Sequence, residues 1–168
     1  MRALTRSLLV NYSGYPAVIR SLALDNGLAN LAGSLIQRGH QTTILDYATV
    51  ETIERLFPHE YRDELSYLAR KLIASLELGL LPKEEDLRAF RDLDARIDEL
   101  QKRKVRQIAR EISEYAKVHK VDFVGFKLWS GDGFEGSITI AEKLKQDNPR
   151  LPVFAGGPHV DSFKEYIF

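Results

Sequence analysis

The stretch Val121–His159, VDFVGFKLWSGDGFEGSITIAEKLKQDNPRLPVFAGGPH, constrains the fold more than any other part of the chain. Phe123–Leu128 is a short apolar run that ends abruptly at Trp129-Ser130-Gly131-Asp132-Gly133. A helical pattern follows. Ile138, Ile140, Ala141 and Leu144 recur at helical spacing, with Glu142, Lys143 and Lys145 among the polar positions, and Asn148-Pro149 stops it. Pro152–Ala155 is a second apolar run, closed by Gly156-Gly157-Pro158-His159. A strand, a helix and a strand of these lengths predict two parallel neighbours joined by a right-handed crossover. Both glycine-rich turns then fall at the carboxyl ends of their strands, the edge where open parallel sheets hold ligands.

The N-terminal part repeats the pattern. Ser7–Val10 reads as a buried strand, ended by the polar and aromatic turn Asn11-Tyr12-Ser13-Gly14-Tyr15-Pro16. Residues 17–26 have no clear period and read as a loop. From Gly27, the residues Leu28, Leu31, Ala32, Leu35 and Ile36 form one helical face, and Gly39 stands where a C′ glycine belongs. Gln41–Leu45 is rich in β-branched residues and predicts a second strand, closed by Asp46. Two strand–helix–strand units in one chain predict a doubly wound α/β fold. The expected sheet order is 2-1-3-4.

Between the two units the β signal disappears. Glu51–Phe57 is a short helix stopped by Pro58. Tyr61–Leu80 is helical through Leu65, Leu68, Leu72, Ile73 and Leu76. Lys83–His119 is a long helical pattern through Leu87, Phe90, Leu93, Ile97, Leu100, Val105, Ile108, Ile112 and Tyr115, in steps of three and four with one of five. Such spacing resembles a coiled-coil seam. A crossover needs only one helix, so residues 58–104 read as a helical insertion in a single domain spanning 1–168. The second half of the long helix leads into the third strand. The run Gln101-Lys102-Arg103-Lys104 has two readings, a solvated helix face or a basic surface for a partner.

Composition narrows the function. The formal net charge is zero, so no basic field draws nucleic acid. No apolar run approaches the roughly 20 residues that span a bilayer, and Leu8–Val10 is too short for a signal core. A cytoplasmic protein is expected. The chain has no cysteine, which excludes disulfides, thiolate metal sites and cysteine nucleophiles within it.

Gly131-Asp132-Gly133-Phe134-Glu135-Gly136 fits G-x-G-x-x-G between a strand and a helix, the pattern of a dinucleotide loop. Two features oppose that reading. The next strand ends in Gly156-Gly157 instead of the acid that would hold a ribose, and Asp132 and Glu135 would oppose a pyrophosphate. The loop also reads as a tight strand-to-helix turn or as the wall of another ligand site. Gly156-Gly157 permits close approach of a flat or bulky group to the backbone. His159 follows at the same edge, where its ring can donate a hydrogen bond to a ligand. No second residue at metal-ligand spacing accompanies it. His40, His59 and His119 receive no role. No catalytic grouping stands out. Ser13, Ser130 and His159 converge on one edge without an orienting acid, so a ligand-holding module fits better than a self-sufficient enzyme.

Four segments in order resemble the N-terminal cobalamin-binding domain of cobalamin-dependent radical S-adenosylmethionine enzymes. They are Leu8-Leu9-Val10-Asn11 with its turn; Gly27–Ala32 followed by Arg38-Gly39-His40 and Ile44-Leu45-Asp46; Asp122–Phe126; and Val153–His159. The resemblance covers both strand–helix–strand units and leaves out the insertion. It implies a flavodoxin-like (Rossmann-like) parallel sheet with the corrin ring over its carboxyl edge. The nucleotide tail would descend beside three loops. By position these hold Tyr12, Ser13 and Gly14; Leu128, Trp129, Ser130 and Gly131; and Gly156, Gly157 and His159. The D-x-H-x-x-G of classical cobalamin domains corresponds here to Asn11-x-Ser13-x-x-Pro16. With no histidine there, the resemblance implies base-off, His-off cobalt.

The radical domain of such enzymes needs C-x-x-x-C-x-x-C for its 4Fe-4S cluster and binds S-adenosylmethionine, and this chain has no cysteine. The chain is therefore expected to be part of a longer protein, for example a methyltransferase, whose radical domain would be its partner. Without a fifth strand the sheet would keep an open edge, and a homodimer is expected. Two other functions remain open on the sequence: an interaction module that uses the helical insertion, and a fragment of a dinucleotide-binding oxidoreductase.

Overall fold

A computed structural model describes residues 4–15 and 26–163. The expected loop over residues 17–26 lies almost wholly outside them. The elements run β1 (Arg6–Asn11), α1 (Asn26–Gln37), β2 (Gln41–Asp46), α2 (Val50–Leu56), a 3-10 turn (His59–Tyr61), α3 (Arg62–Glu77), α4 (Glu84–Val118), β3 (Phe123–Lys127), α5 (Asp132–Asp147), β4 (Val153–Gly156) and α6 (Pro158–Phe163). The sheet is parallel throughout, in the order β2-β1-β3-β4. This is the α/β architecture expected from the two strand–helix–strand units. The helical insertion lies between β2 and β3, where the β signal vanishes.

β1 is the central strand. It pairs with β2 from Arg6↔Gln41 to Asn11↔Asp46, and with β3 from Ser7↔Phe123 to Asn11↔Lys127. β3 pairs with β4 from Val124↔Val153 to Lys127↔Gly156. Ser7–Asn11 is buried on both faces of the sheet. Alternation sends Leu8 and Val10 to the face shared with Val124 and Phe126, and Leu9 to the other. Leu9 packs with Leu28 and Ala32 of α1.

The chain divides into two compact units, Met1–Arg55 with Val105–Phe168, and Leu56–Lys104. Helix α4 supplies residues to both. In the first unit, Ile108 and Ile112 of α4 and Ile140 and Leu144 of α5 are buried. There Ser113 Oγ donates to Asp147 at 2.6 Å. In the second unit, Leu68, Leu93 and Leu100 are buried, and Lys71 reaches the buried Asp86 at 2.5 Å. The three cations of the basic run of α4 all have partners within this unit. Lys102 meets Asp98 at 2.7 Å, Arg103 approaches Glu60, and Lys104 Nζ donates to the carbonyl of Phe57 at 2.8 Å.

Two expected apolar faces are narrower than their periodicity. In α1 only Leu28 and Ala32 are buried, while Leu31 and Ile36 are exposed. At about 100° per residue, Leu31 and Ile36 flank the line of Leu28, Ala32 and Leu35 instead of lying on it. In α3, Ile73 and Leu76 are likewise exposed and only Leu68 is buried. No helix among the described residues is long and apolar enough to cross a membrane.

Among the described residues β4 is paired on one edge only. Val153–Gly156 carries no charge, and Phe154 is 59% exposed, touching Phe123 edge-on at 5.9 Å between ring centroids. An uncharged open edge invites pairing with another strand. We expect light scattering to show concentration-dependent association, and Phe154→Lys to return the chain to monomer. A wild type that stays monomeric at every concentration would contradict this.

Candidate functional site

The carboxyl ends of β1, β3 and β4 gather most of the residues singled out in the sequence. They do not play equal parts. Tyr12 is core: its side chain is buried against α5. The space it fills is that left by Gly136, where a Cβ would lie 2.1 Å from the Tyr12 ring. Burial raises the Tyr12 phenol above its ordinary value. The charge of Asp132 adds to the rise and that of Arg55 opposes it.

The same close approach explains the rest of the G-x-G-x-x-G run. Helix α5 begins inside it, at Asp132. Gly131 takes φ 58° and ψ −135° at the cap, a conformation left to glycine. A Cβ on Gly133 would sit 2.9 Å from the carbonyl oxygen of Ser13, and one on Gly14 would sit 2.6 Å from the amide nitrogen of Gly133. Gly133 and Gly136 therefore admit the β1 loop. Asp132 and Glu135 are exposed in the first turn, where they complement the helix dipole.

Ser13 differs from its neighbours. Its hydroxyl oxygen is sealed from solvent and has no hydrogen-bond partner among the described residues. An unmet buried hydroxyl costs about 1–3 kcal/mol. Leu128 is buried, and its N–H donates to the carbonyl of Gly156 at 2.9 Å. Ser130 and Gly131 are exposed. A Cβ on Gly156 would meet none of the described residues within 4 Å, so they leave its side of the edge open. Gly157 has φ 106°, and a Cβ there would come 3.3 Å from Lys127 Cγ. His159 contributes its backbone to α6, and its side chain lies outside the described residues. Beside these turns a groove of about 350 Å³ is lined by residues of β3, β4 and α5, among them Phe126, Leu128, Ile138, Val153, Phe154 and Ala155.

Trp129 has a role that the sequence did not disclose. Its indole N–H donates to Asn11 Oδ1 at 2.8 Å, and Asn11 Nδ2 donates to Asp46 Oδ1 at 2.9 Å. Asp46 Oδ1 also accepts the N–H of Ala48 at 2.9 Å. Indole can only donate and carboxylate only accept, so the Asn11 amide has one orientation that serves both. The chain of bonds ties the ends of β3, β1 and β2. Lys127 Nζ lies 4.2 Å from the centre of the Trp129 ring, close enough for a cation–π contact. Trp129 and Asn11 are 118 residues apart, and no local signal announces such a pair.

Beyond β2, Arg55 grips Glu111 with two bonds of 2.7 and 2.6 Å. The Arg55 hydrogen bonds, helped by its charge, hold the Glu111 carboxyl below its ordinary range against some desolvation. Tyr47 is shifted upward, by burial first and by the charge of Glu111 second. No group of three His, Cys, Asp or Glu that could hold a metal ion occurs among the described residues. Comparison with family models, curated proteins and solved structures gives no match.

Two predictions follow from this packing. Gly136→Ala should destabilise the domain by about 1–3 kcal/mol or more in urea unfolding, because Tyr12 has nowhere to retreat. Gly33→Ala in α1, where a Cβ would meet nothing within 4 Å, should stabilise it by about 0.5–1 kcal/mol. Equal effects would refute the slot. A carboxyl whose pKa is lowered on folding adds stability above its unfolded pKa and loses it as pH falls through the folded one. Glu111→Gln should therefore cost a few tenths of a kcal/mol at neutral pH, given how exposed the pair is. It should also flatten the acid limb of the urea midpoint. An unchanged acid limb would remove the pair from the pH response.

Proposed function

We propose that the carboxyl edge of this sheet binds cobalamin, as the cofactor-holding module of a radical S-adenosylmethionine enzyme such as a methyltransferase. The observation that carries the reading is the sealed hydroxyl of Ser13, without a partner among the described residues, at the tip of the central strand. A ligand oxygen or nitrogen that reached it, once the covering loop gave way, would meet a bond that the described residues leave unmade. The open space at Gly156 and the apolar groove of Phe126, Leu128, Val153 and Ala155 supply the other needs of a bulky nucleotide tail.

On this reading the holding residues are Ser13, Leu128, Ser130, Gly131, Gly156 and Gly157, with His159 following in chain order. Tyr12 and Gly14 support them from behind, and Trp129 fixes the floor through Asn11. Bound cobalamin supplies a cobalt centre able to carry a methyl group. Asn11, which stands where classical domains begin their histidine motif, has both ends of its amide engaged. No imidazole reaches cobalt from that loop, so a base-off, His-off state is proposed. The radical domain, its 4Fe-4S cluster and S-adenosylmethionine would belong to a longer cytoplasmic protein. The dinucleotide reading has less support, because Gly133 and Gly136 are spent on Ser13 and Tyr12.

A second reading has its own observation. In the unit Leu56–Lys104, the turn after α3 exposes Leu78 by 74%, Leu80 by 59% and Leu81 by 92%. Three bare leucines in one turn suit an interaction module, with a second copy of the chain as the partner to test.

Titration of the chain with hydroxocobalamin and methylcobalamin, followed by visible absorbance and calorimetry, tests the first reading. One-to-one binding with no histidine nitrogen on cobalt is expected. Ser13→Ala should weaken it by about 1 kcal/mol. Gly157→Val should weaken it more, since valine meets both Lys127 and an unfavourable φ. A histidine-ligated spectrum would overturn the His-off state. No saturable binding, together with association lost on Leu81→Asp, would favour the second reading.

A further inference from the structure

A second groove, of about 400 Å³, opens at the opposite edge of the sheet, where β1, β2 and β3 begin. Its lining includes Arg6, Gln41, Tyr115, His119 and Lys120. Two observations set it apart. The first is backbone conformation. Helices α1, α3 and α4 all end in the same paired turn. Gly39 and His40 bond back to Ile36 and Leu35; Gly79 and Leu80 bond back to Leu76 and Ser75; Lys120 and Val121 bond back to Lys117 and Ala116. The turning residue is left-handed each time, with φ 86° at Gly39, 68° at Gly79 and 52° at Lys120. Glycine adopts this conformation without cost, and lysine does not. Among the described residues Lys120 is the one non-glycine with positive φ. The carbonyl end of α4 already has Lys117 in its last turn to complement the dipole, so capping does not require a lysine at position 120.

The second observation is charge without a counter-charge. Arg55, Lys71, Arg91, Arg96, Lys102, Arg103 and Lys143 meet carboxylates, and Arg38, Arg70, Lys104, Arg110 and Lys145 have carbonyl oxygens as partners instead. Among the described residues, neither Arg6 nor Lys120 has an ion pair. Arg6 Nε donates to Gln41 Oε1 at 3.3 Å, and its guanidinium has no other bond among the described residues. The nearest carboxylate in sequence, Asp122, accepts the backbone N–H of Arg6 at 2.7 Å and does not line the groove. Two aromatic rings belong to the same lining. Tyr115 and His119 stack at 4.1 Å between centroids, 29° from parallel.

We propose that this groove binds a small aromatic oxyanion, its charged oxygens between Arg6 and Lys120 and its ring against Tyr115 and His119. Guanidinium and ammonium donors recognise phosphate and carboxylate alike, and the volume suits a ligand of modest size. The site is separate from the carboxyl edge and does not depend on the cobalamin reading.

Nuclear magnetic resonance titration of the full chain with phenyl phosphate, benzoate and inorganic phosphate tests it. Phenyl phosphate or benzoate should bind saturably, moving the amides of Arg6, Gln41, Lys120 and Val121, and inorganic phosphate should bind more weakly. Lys120→Gly is the decisive variant. It should raise the melting temperature, because glycine relieves the left-handed residue, and weaken binding by about tenfold. Arg6→Gln should weaken binding to a similar degree with an unchanged circular dichroism spectrum. Saturation by phenyl phosphate alone would assign phosphate esters, and by benzoate alone carboxylates. Shifts confined to the carboxyl edge, no saturation by either aromatic ligand, or a stabilised Lys120→Gly that binds as tightly as wild type would each overturn the proposal.

Discussion

Strand β1 has no free side. Both its edges are paired, and Ser7–Asn11 is buried on both faces. Leu9 rests on α1 and holds β3 close: a Cβ on Gly125 would stand 3.0 Å from Leu9 Cδ2. Beyond the last residue of β1 the chain has little freedom. Tyr12 fills the slot over Gly136, and Gly14 abuts the first turn of α5. The edge where the candidate site lies is thus built outward from one five-residue segment. A fault there would reach three strand ends and a helix start together.

This arrangement gives the glycine-rich loop a meaning different from its motif. Glycine at the start of a helix permits close approach, but the pattern does not name what approaches. Here it is a tyrosine and a backbone carbonyl from the same chain. The two glycines at the end of β4 behave differently, since a Cβ on Gly156 would meet none of the described residues within 4 Å and Gly157 bends with φ 106°. Space at the carboxyl edge is therefore taken up on the β1 side and left open on the β4 side. The candidate site is narrower than the three loops suggested.

Much of this architecture was legible in the residues. The strand order, the insertion between β2 and β3, and helix α4, which begins and ends within one residue of the expected Lys83–His119, follow from local patterns. Side-chain destinations were less legible. Leu31 and Ile36 fit a helical face, yet that face meets the sheet along one line and leaves both exposed. Tyr12 sits in a polar turn by sequence and in the core by structure, because the glycine that receives it lies far along the chain. The bonds from Trp129 to Asn11 and from Asn11 to Asp46 depend on strand register, which no single segment carries.

Trp129 is the only tryptophan in the chain. Its indole is held to a buried amide on one side and lies under an ammonium group on the other. Its emission therefore reports on the carboxyl edge of the sheet and on no other place in the molecule. The protein carries its own optical probe at the candidate site, and a strongly absorbing corrinoid, if it binds there as proposed, would be read as quenching without any label.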